Sequence, residues 1–495
     1  FGASIFTDAF NVAFRIPNLF RRLFAEGAFS QAFVPVLAAA RAREGDAATR
    51  SMLSHVATVL FWALVVLCIA GVVGAPLLVW FMASGLQRYP EGYAAAVVMT
   101  RWIFPYIGFM SLAAMAAGVL NTWERFAVPA VSPVFLNITM ILAAWLGAPL
   151  FGRMGVQPIY ALCIGVMAGG VLQLGAQLVA LQRMHLLPRI GLTAQAIKSA
   201  LADPHTRRIG TLMLPAILGV SVAQVSLLIN TQIASYLGAG SVSWLSYADR
   251  LYQLPLGVVG IAIGIVLLPD IARRLKAGDT DGGRHAYNRA TEFALFLTVP
   301  AGVALMVAAY PLISVLFKRG AFMQADVGPT ALALAIYGAG LPAFVLQKVL
   351  QPLYFAREDT RTPFRFALWS MVVNAVMALG LAPFIGFSAA ALGTTIAGWT
   401  MAAQLWLGTR AFGEAAALDA RLRHRLPRIV AASVVMGVAI WAMRLVLDPA
   451  LETPSLRYLA LTALVLGGIG AYGVAAVLLG AIRPSDLRAG FRRQR

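Results

Sequence analysis

The chain has 495 residues, 60% hydrophobic and 12% charged, with 39 Lys and Arg against 20 Asp and Glu. Its mean hydropathy of +0.79 excludes an ordinary soluble domain, which would need far more polar surface at this length. The net charge of +19 does not indicate nucleic acid, because the basic residues sit in short loops between apolar runs and no aromatic-basic platform accompanies them.

Apolar runs able to cross about 30 Å of hydrocarbon follow one another along the sequence. The first is a broken helical region, 4–20 plus 27–40, interrupted around Pro17 and Arg21-Arg22. Twelve follow, at about 52–82, 92–120, 127–150, 157–182, 209–237, 242–272, 290–317, 327–355, 364–385, 388–409, 427–446 and 457–482, which makes thirteen. The two cysteines, Cys68 and Cys163, fall inside such runs and read as small core residues.

Basic residues orient these spans. Alternate loops, from Arg41, Arg43 and Arg50 to the C-terminal tail, hold 27 of the 39 Lys and Arg, and the opposite loops hold 6. The positive-inside rule then predicts that the richer set and the C-terminus face the cytoplasm.

A weak internal repeat organises the spans. LGAGSVSWLSYADRLYQLP at 237–255 parallels FGASIFTDAFNVAFRIP at 1–17, and LLPDIARR at 267–274 resembles FVPVLAAAR at 33–41. The repeat predicts an all-α polytopic membrane protein with two six-helix lobes around a central cavity. The first lobe covers 1–182 and the second 209–409; two additional helices lie in 427–482, and a basic tail in 483–495. The second Leu-Gly-Ala-Gly turn follows a full span, whereas its counterpart opens the sequence. That asymmetry predicts one further helix upstream, ~30 residues with its flanks, and fourteen spans in all.

Charge is concentrated where the chain can least tolerate it. TDAFNVAFRIPNLFRRLFAEGAFSQAFVPVL at 7–37 holds Asp8, Arg15, Arg21, Arg22 and Glu26 among apolar residues. Ionisable groups at bilayer depth cost several kcal/mol unless they face a polar cavity or a partner. Downstream, SYADRLYQLP carries Asp249 and Arg250, and LQKVLQPLYF carries Lys348.

The wording of 7–37 resembles the signature of the lipid II flippase family (MurJ, also called MviN), within the multidrug/oligosaccharidyl-lipid/polysaccharide exporter superfamily. TDAF, RIPNLFRR and FAEGAFSQAFVPVL carry the likeness, with LNTWERFAVPA at 120–130, PAILGVSVAQVSLLINT at 215–231, SVSWLSYADRL at 241–251 and GIVLLPDIAR at 264–273. The resemblance implies a flippase that carries lipid II, the undecaprenyl-pyrophosphate-linked disaccharide-pentapeptide, across the bacterial inner membrane. Arg21 corresponds to the family's required arginine in this motif. Membrane lipids, and the cell-wall synthesis machinery, would be its other partners.

Each candidate keeps a structural alternative. Arg250 either grips phosphate in a cavity, where a guanidinium fork matches its oxygens, or forms an internal ion pair with Asp249. Pro17 is expected to break the helix that would align Arg15 with Arg22. Arg22 serves the site or meets headgroups at the membrane edge, with Glu26 four residues on as a partner. Asp8 is a cavity carboxylate or the cap of a helix starting there. Lys348 is a secondary candidate whose default is snorkelling to the interface. Asn121, Asn137, Gln224, Asn230 and Asn374 read mainly as interhelical hydrogen bonders.

No enzyme is expected. The five histidines have no HExxH pattern or Cys partner, so no metal is predicted. No GxxxxGK[ST] loop is present and no cofactor is implied. The energy source would be membrane potential or an ion gradient; one charge moved through 100 mV supplies about 2.3 kcal/mol. The alternatives are an exporter of another lipid-linked oligosaccharide or a drug, or a non-transporting scaffold for wall synthesis. A drug exporter would favour acidic cavity groups, and a scaffold would not need buried arginines.

Overall fold

Helix α1, Ile5–Phe20, begins where Ser4 takes an extended conformation and its hydroxyl accepts the Thr7 N–H at 3.3 Å. Asp8 therefore lies inside the first turn, and capping falls to Ser4. The helix runs through Pro17 rather than breaking there. In an apolar medium a proline is tolerated when neighbouring groups re-satisfy the backbone. Pro17 removes the one N–H that would reach the Ala13 carbonyl; beside it the Asn18 side chain donates to the Phe14 carbonyl at 2.7 Å, and the α-helix ends three residues after Pro17.

The structure, a computed structural model, describes residues 1–22, 29–262, 273–274 and 277–482. Among them every regular element is helical. Nine helical segments among these residues are long and apolar enough to cross a membrane.

Two compact units emerge. The first covers Ser4–Ala239. After α1 come α2 (Ser30–Val73), α3 (Ala75–Ala83), α4 (Pro90–Ile103), α5 (Tyr106–Thr122), α6 (Ala127–Leu142), α7 (Ala148–Arg153), α8 (Tyr160–Arg183), α9 (Ala194–Ala202) and α10 (Pro204–Tyr236). Gly45 divides α2 with φ +77° and ψ −179°, a backbone essentially reserved for glycine. The core at one end joins both halves of α2 to α5 and α8 through Phe33, Leu37, Leu53, Val56, Met115, Val119 and Leu181.

Helix α10 packs within this first unit. Ser84 N–H donates to Gln232 Oε1 at 2.8 Å, Gly85 N–H to Ser235 Oγ at 3.1 Å, and the Ser84 and Tyr236 hydroxyls meet at 2.8 Å. Its other end is held to α2 by His55 Nδ1 at 3.4 Å from Asp203 and His205 Nε2 at 3.2 Å from Glu44. The lobe boundary drawn from the repeat placed this segment, from 209 onward, with the second lobe. The interactions that tie it to α2 and to residues 84–88 are polar side chains, which hydropathy averages do not register.

The second unit covers Gly240 onward together with Phe1–Ala3. It contains α11 (Ser241–Ala262), α12 (Thr280–Val307), α13 (Ala309–Phe317), α14 (Gln324–Phe355), α15 (Arg361–Ile385), α16 (Ser388–Gly408), α17 (Ala420–Glu452) and α18 (Arg457–Leu478). Small residues let helices approach, as expected where lipid removes the hydrophobic drive. A Cβ on Gly302 of α12 would lie 2.6 Å from the Gly338 carbonyl of α14. Gly2 is similarly confined, its Cβ position only 1.9 Å from the Ala321 carbonyl.

The helices α17 and α18 pack on α12 through Ile429, Met436, Ile440, Leu464 and Tyr472, whose hydroxyl donates to the Phe296 carbonyl at 2.8 Å. An ionic cluster reinforces them. Glu292, with 12% of its side chain exposed, accepts from Arg289 at 2.6 Å, from Arg421 at 3.2 Å and from Arg425. Asp419 accepts from Arg289 at 2.6 Å and caps α17 through the Leu422 N–H at 2.7 Å. Burial pushes the Asp419 carboxyl up, but the Leu422 N–H and Arg289 hold it below the usual carboxylate range.

Candidate functional site

Two sets of charged side chains stand out, one in each unit. In the first, Asp8 is 1% exposed in the opening turn of α1. Arg15, two turns on and therefore on the same face, is half-buried and donates to the Thr231 hydroxyl of α10 at 2.7 Å. The Thr231 hydroxyl in turn donates a hydrogen bond to the Leu227 carbonyl at 2.8 Å. Arg21 is half-buried and its Nε donates to Asn18 Oδ1 at 3.1 Å. Arg22 is exposed. Glu26 lies outside the described residues.

In the second unit, Asp249 and Arg250 are neighbours on α11 but do not pair. Asp249 accepts from the Gln253 amide one turn later. Consecutive helical residues point about 100° apart, and Arg250 is exposed with no ion-pair or hydrogen-bond partner among the described residues. Lys348 of α14 is also exposed and without such a partner there, lying against α11, where a Cβ on Gly260 would sit 2.6 Å from its Nζ. Glycine at 260 thus makes room for the ammonium. Aromatic rings fix the same helix pair, with Tyr252 at 5.6 Å from Tyr337 and 5.7 Å from Phe344, ring centre to ring centre.

Chemically, the second set can take an anion. Two cations on apolar helices without a described counter-ion are costly to keep unless something negative visits them. The first set mixes a buried carboxylate with arginines already engaged by neutral acceptors. Among the described residues no group of three or more His, Cys, Asp or Glu could hold a metal.

Sequence reading missed the polar fastening of α10, formed by Ser84, Thr231, Gln232, Ser235 and Tyr236. It also missed Gln173 and Gln177, buried on α8 at 1% and 3% exposure. A signal existed in the four-residue spacing of those two amides on an otherwise apolar helix.

Comparison with known proteins agrees with this architecture. The family model described as lipid II flippase MurJ matches residues 1–458. The chain is 42% identical over 445 residues to the lipid II flippase MurJ of Burkholderia cenocepacia, covering 89% of this chain and 84% of that one. It is 40% identical over 499 residues to the probable lipid II flippase MurJ of Rhizobium meliloti, covering 99% and 91%. Its fold is that of a solved lipid II flippase MurJ in an inward closed conformation, with TM-score 0.78 at 24% identity over 96% of this chain and 93% of that one. A MATE-family multidrug transporter of the MOP superfamily, inward-facing, follows with TM-score 0.66 at 12% identity over 83% and 95%. This is a multi-pass membrane protein, and it belongs to the lipid II flippase MurJ family.

Proposed function

We propose that this chain carries lipid II from the cytoplasmic to the outer leaflet of the bacterial inner membrane by alternating access, driven by membrane potential or an ion gradient. The pyrophosphate is the part of the substrate that needs cations, and Arg250, Arg21 and Lys348 supply them, with Arg15, Asp8 and Asp249 shaping the polar path and Arg22 at its edge. The observation that supports this most is that Arg250 and Lys348 stand on apolar helices without an anionic partner among the described residues. A guanidinium keeps its charge throughout the cycle and matches phosphate oxygens in a planar fork. An exporter of cationic drugs is disfavoured by the same cations. Loss of the chain from cells should strand lipid II on the inner leaflet.

Direction depends on orientation, for which we propose a cytoplasmic C-terminus from the bias of 27 basic residues against 6. Ser199, on the short helix α9, and Gln157 are both exposed and lie in segments between spans assigned to opposite sides. Ser199→Cys should resist a membrane-impermeant thiol reagent in intact cells, and Gln157→Cys should react. The reverse labelling would invert the proposed direction. Association with the wall-synthesis machinery belongs to the same proposal and would fall on the cytoplasmic or outer loops.

A further inference from the structure

One ridge of α8 runs Gly165, Gly169, Gln173, Gln177, each a turn apart and all facing neighbouring helices. At its glycine end α8 and α6 touch. A Cβ on Gly165 would lie 2.8 Å from that of Ala143, and one on Gly169 would lie 2.7 Å from Thr139 Oγ1. At its glutamine end the helices stand apart around a cavity of about 260 Å³, walled by α2, α5, α6 and α8. That volume is many times the ~15 Å³ that one water needs, and sits just under the roughly 300 Å³ where small-molecule sites begin.

The polar lining is Ser30, Asn121, Ser132, Gln173 and Gln177, and among the described residues no ionisable side chain contributes. Gln177 is 3% exposed and Ser132 is 4% exposed. One end of the Gln177 amide bonds the Ser132 hydroxyl at 3.2 Å, and the other end is buried with no partner among the described residues. This holds whichever way the amide is turned. A buried amide end left unpaired costs free energy that a matching ligand would recover. Ala117 and Gly118 keep the opposite wall shallow.

We infer that this cavity receives a neutral, hydroxyl- and acetamido-bearing sugar ring of the transported headgroup. The inference rests on the function proposed above and extends it. Phosphate is disfavoured because no described residue of the lining is a cation, and an acyl tail by the buried amides. A sugar ring offers donors and acceptors together, as carboxamide and hydroxyl side chains do. Asn121 places the cavity at the end of α5 that leads into the Arg125 turn, the side assigned to the cytoplasm, where the headgroup would enter. Ser30 follows Arg21 by nine residues in the chain.

The test uses the purified full chain in vesicles and two probes, a polyprenyl pyrophosphate bearing an N-acetylated hexose and the same carrier without sugar. The wild-type protein should move the sugar-bearing probe faster, and Gln177→Leu should cut that preference by about tenfold, the worth of one buried hydrogen bond. Ala117→Leu, which fills the cavity and removes no polar group, should cut it too. Size-exclusion profiles identify any variant that fails to fold, and the other variant then decides. No preference in the wild type would mean that the cavity holds only water, and would overturn the inference. A preference kept by a folded variant would also overturn it. If the wild type moves neither probe, the flippase reading itself fails and takes this inference with it.

Discussion

Arg250→Ala should abolish complementation in a strain depleted of its flippase, and Arg250→Lys should complement poorly. A charge-assisted hydrogen bond is worth about 1.5–3 kcal/mol, so removing one such bond to phosphate should slow transport roughly 10- to 150-fold. Lysine keeps the charge, but as a point charge it cannot reproduce the bidentate fork. Protein abundance in the membrane should stay near wild type, because Arg250 is exposed and bonded to no described residue. The rival reading, an ion pair with Asp249, predicts that Asp249→Ala is equally damaging and that the double variant recovers. The bond from Gln253 to Asp249 argues against that rival. Complementation and membrane abundance of both single variants and the double decide between them. Recovery in the double variant would favour the ion pair.

Glu292→Ala should destabilise the second unit severely without touching the transport path. Three arginines converge on this one carboxylate, whose side chain is 12% exposed, and Arg425 beside it is 8% exposed. Removing the acid leaves buried guanidinium charge uncompensated, a change that costs about 3–5 kcal/mol. The expected readout is a clear fall in thermal midpoint in detergent, with faster proteolysis of the segment joining α16 to α17. Glu414→Ala is the control. Glu414 also meets an arginine, Arg284, at 2.8 Å, but 85% of its side chain is exposed, and a pair in water contributes about 0–1 kcal/mol. Equal effects from the two substitutions would show that burial does not set the strength of this cluster.

Helix positions were legible because lipid imposes one strong rule, that backbone polar groups be satisfied within the segment. The runs read at 327–355, 364–385 and 388–409 appear as Gln324–Phe355, Arg361–Ile385 and Ser388–Gly408. Near Arg21-Arg22 the α-helix ends at Phe20 while Arg21 keeps helical backbone angles, and the expected interruption beyond Arg22 falls on 23–28, outside the described residues. A break is expected at Pro17, whereas α1 continues three residues past it, since a proline removes a single backbone bond and an apolar medium tolerates that loss within a packed helix. Charged candidates were legible as rarities. What they touch was not. Arg15 meets Thr231 across 216 positions of sequence, and only the fold brings them together. The cavity beside Gln177 was hidden for a similar reason. Its two glutamines are weak signals singly, and their meaning depends on the space between four helices.

The most direct measurement of the central proposal is the leaflet distribution of lipid II in cells depleted of this protein. Lipid II in the outer leaflet can be read by its cleavage with a membrane-impermeant hydrolase added to spheroplasts. The expected result is a rise in total lipid II together with a fall in the cleavable fraction, reversed by the wild-type chain and not by Arg250→Ala. An unchanged cleavable fraction on depletion would contradict lipid II transport by this chain.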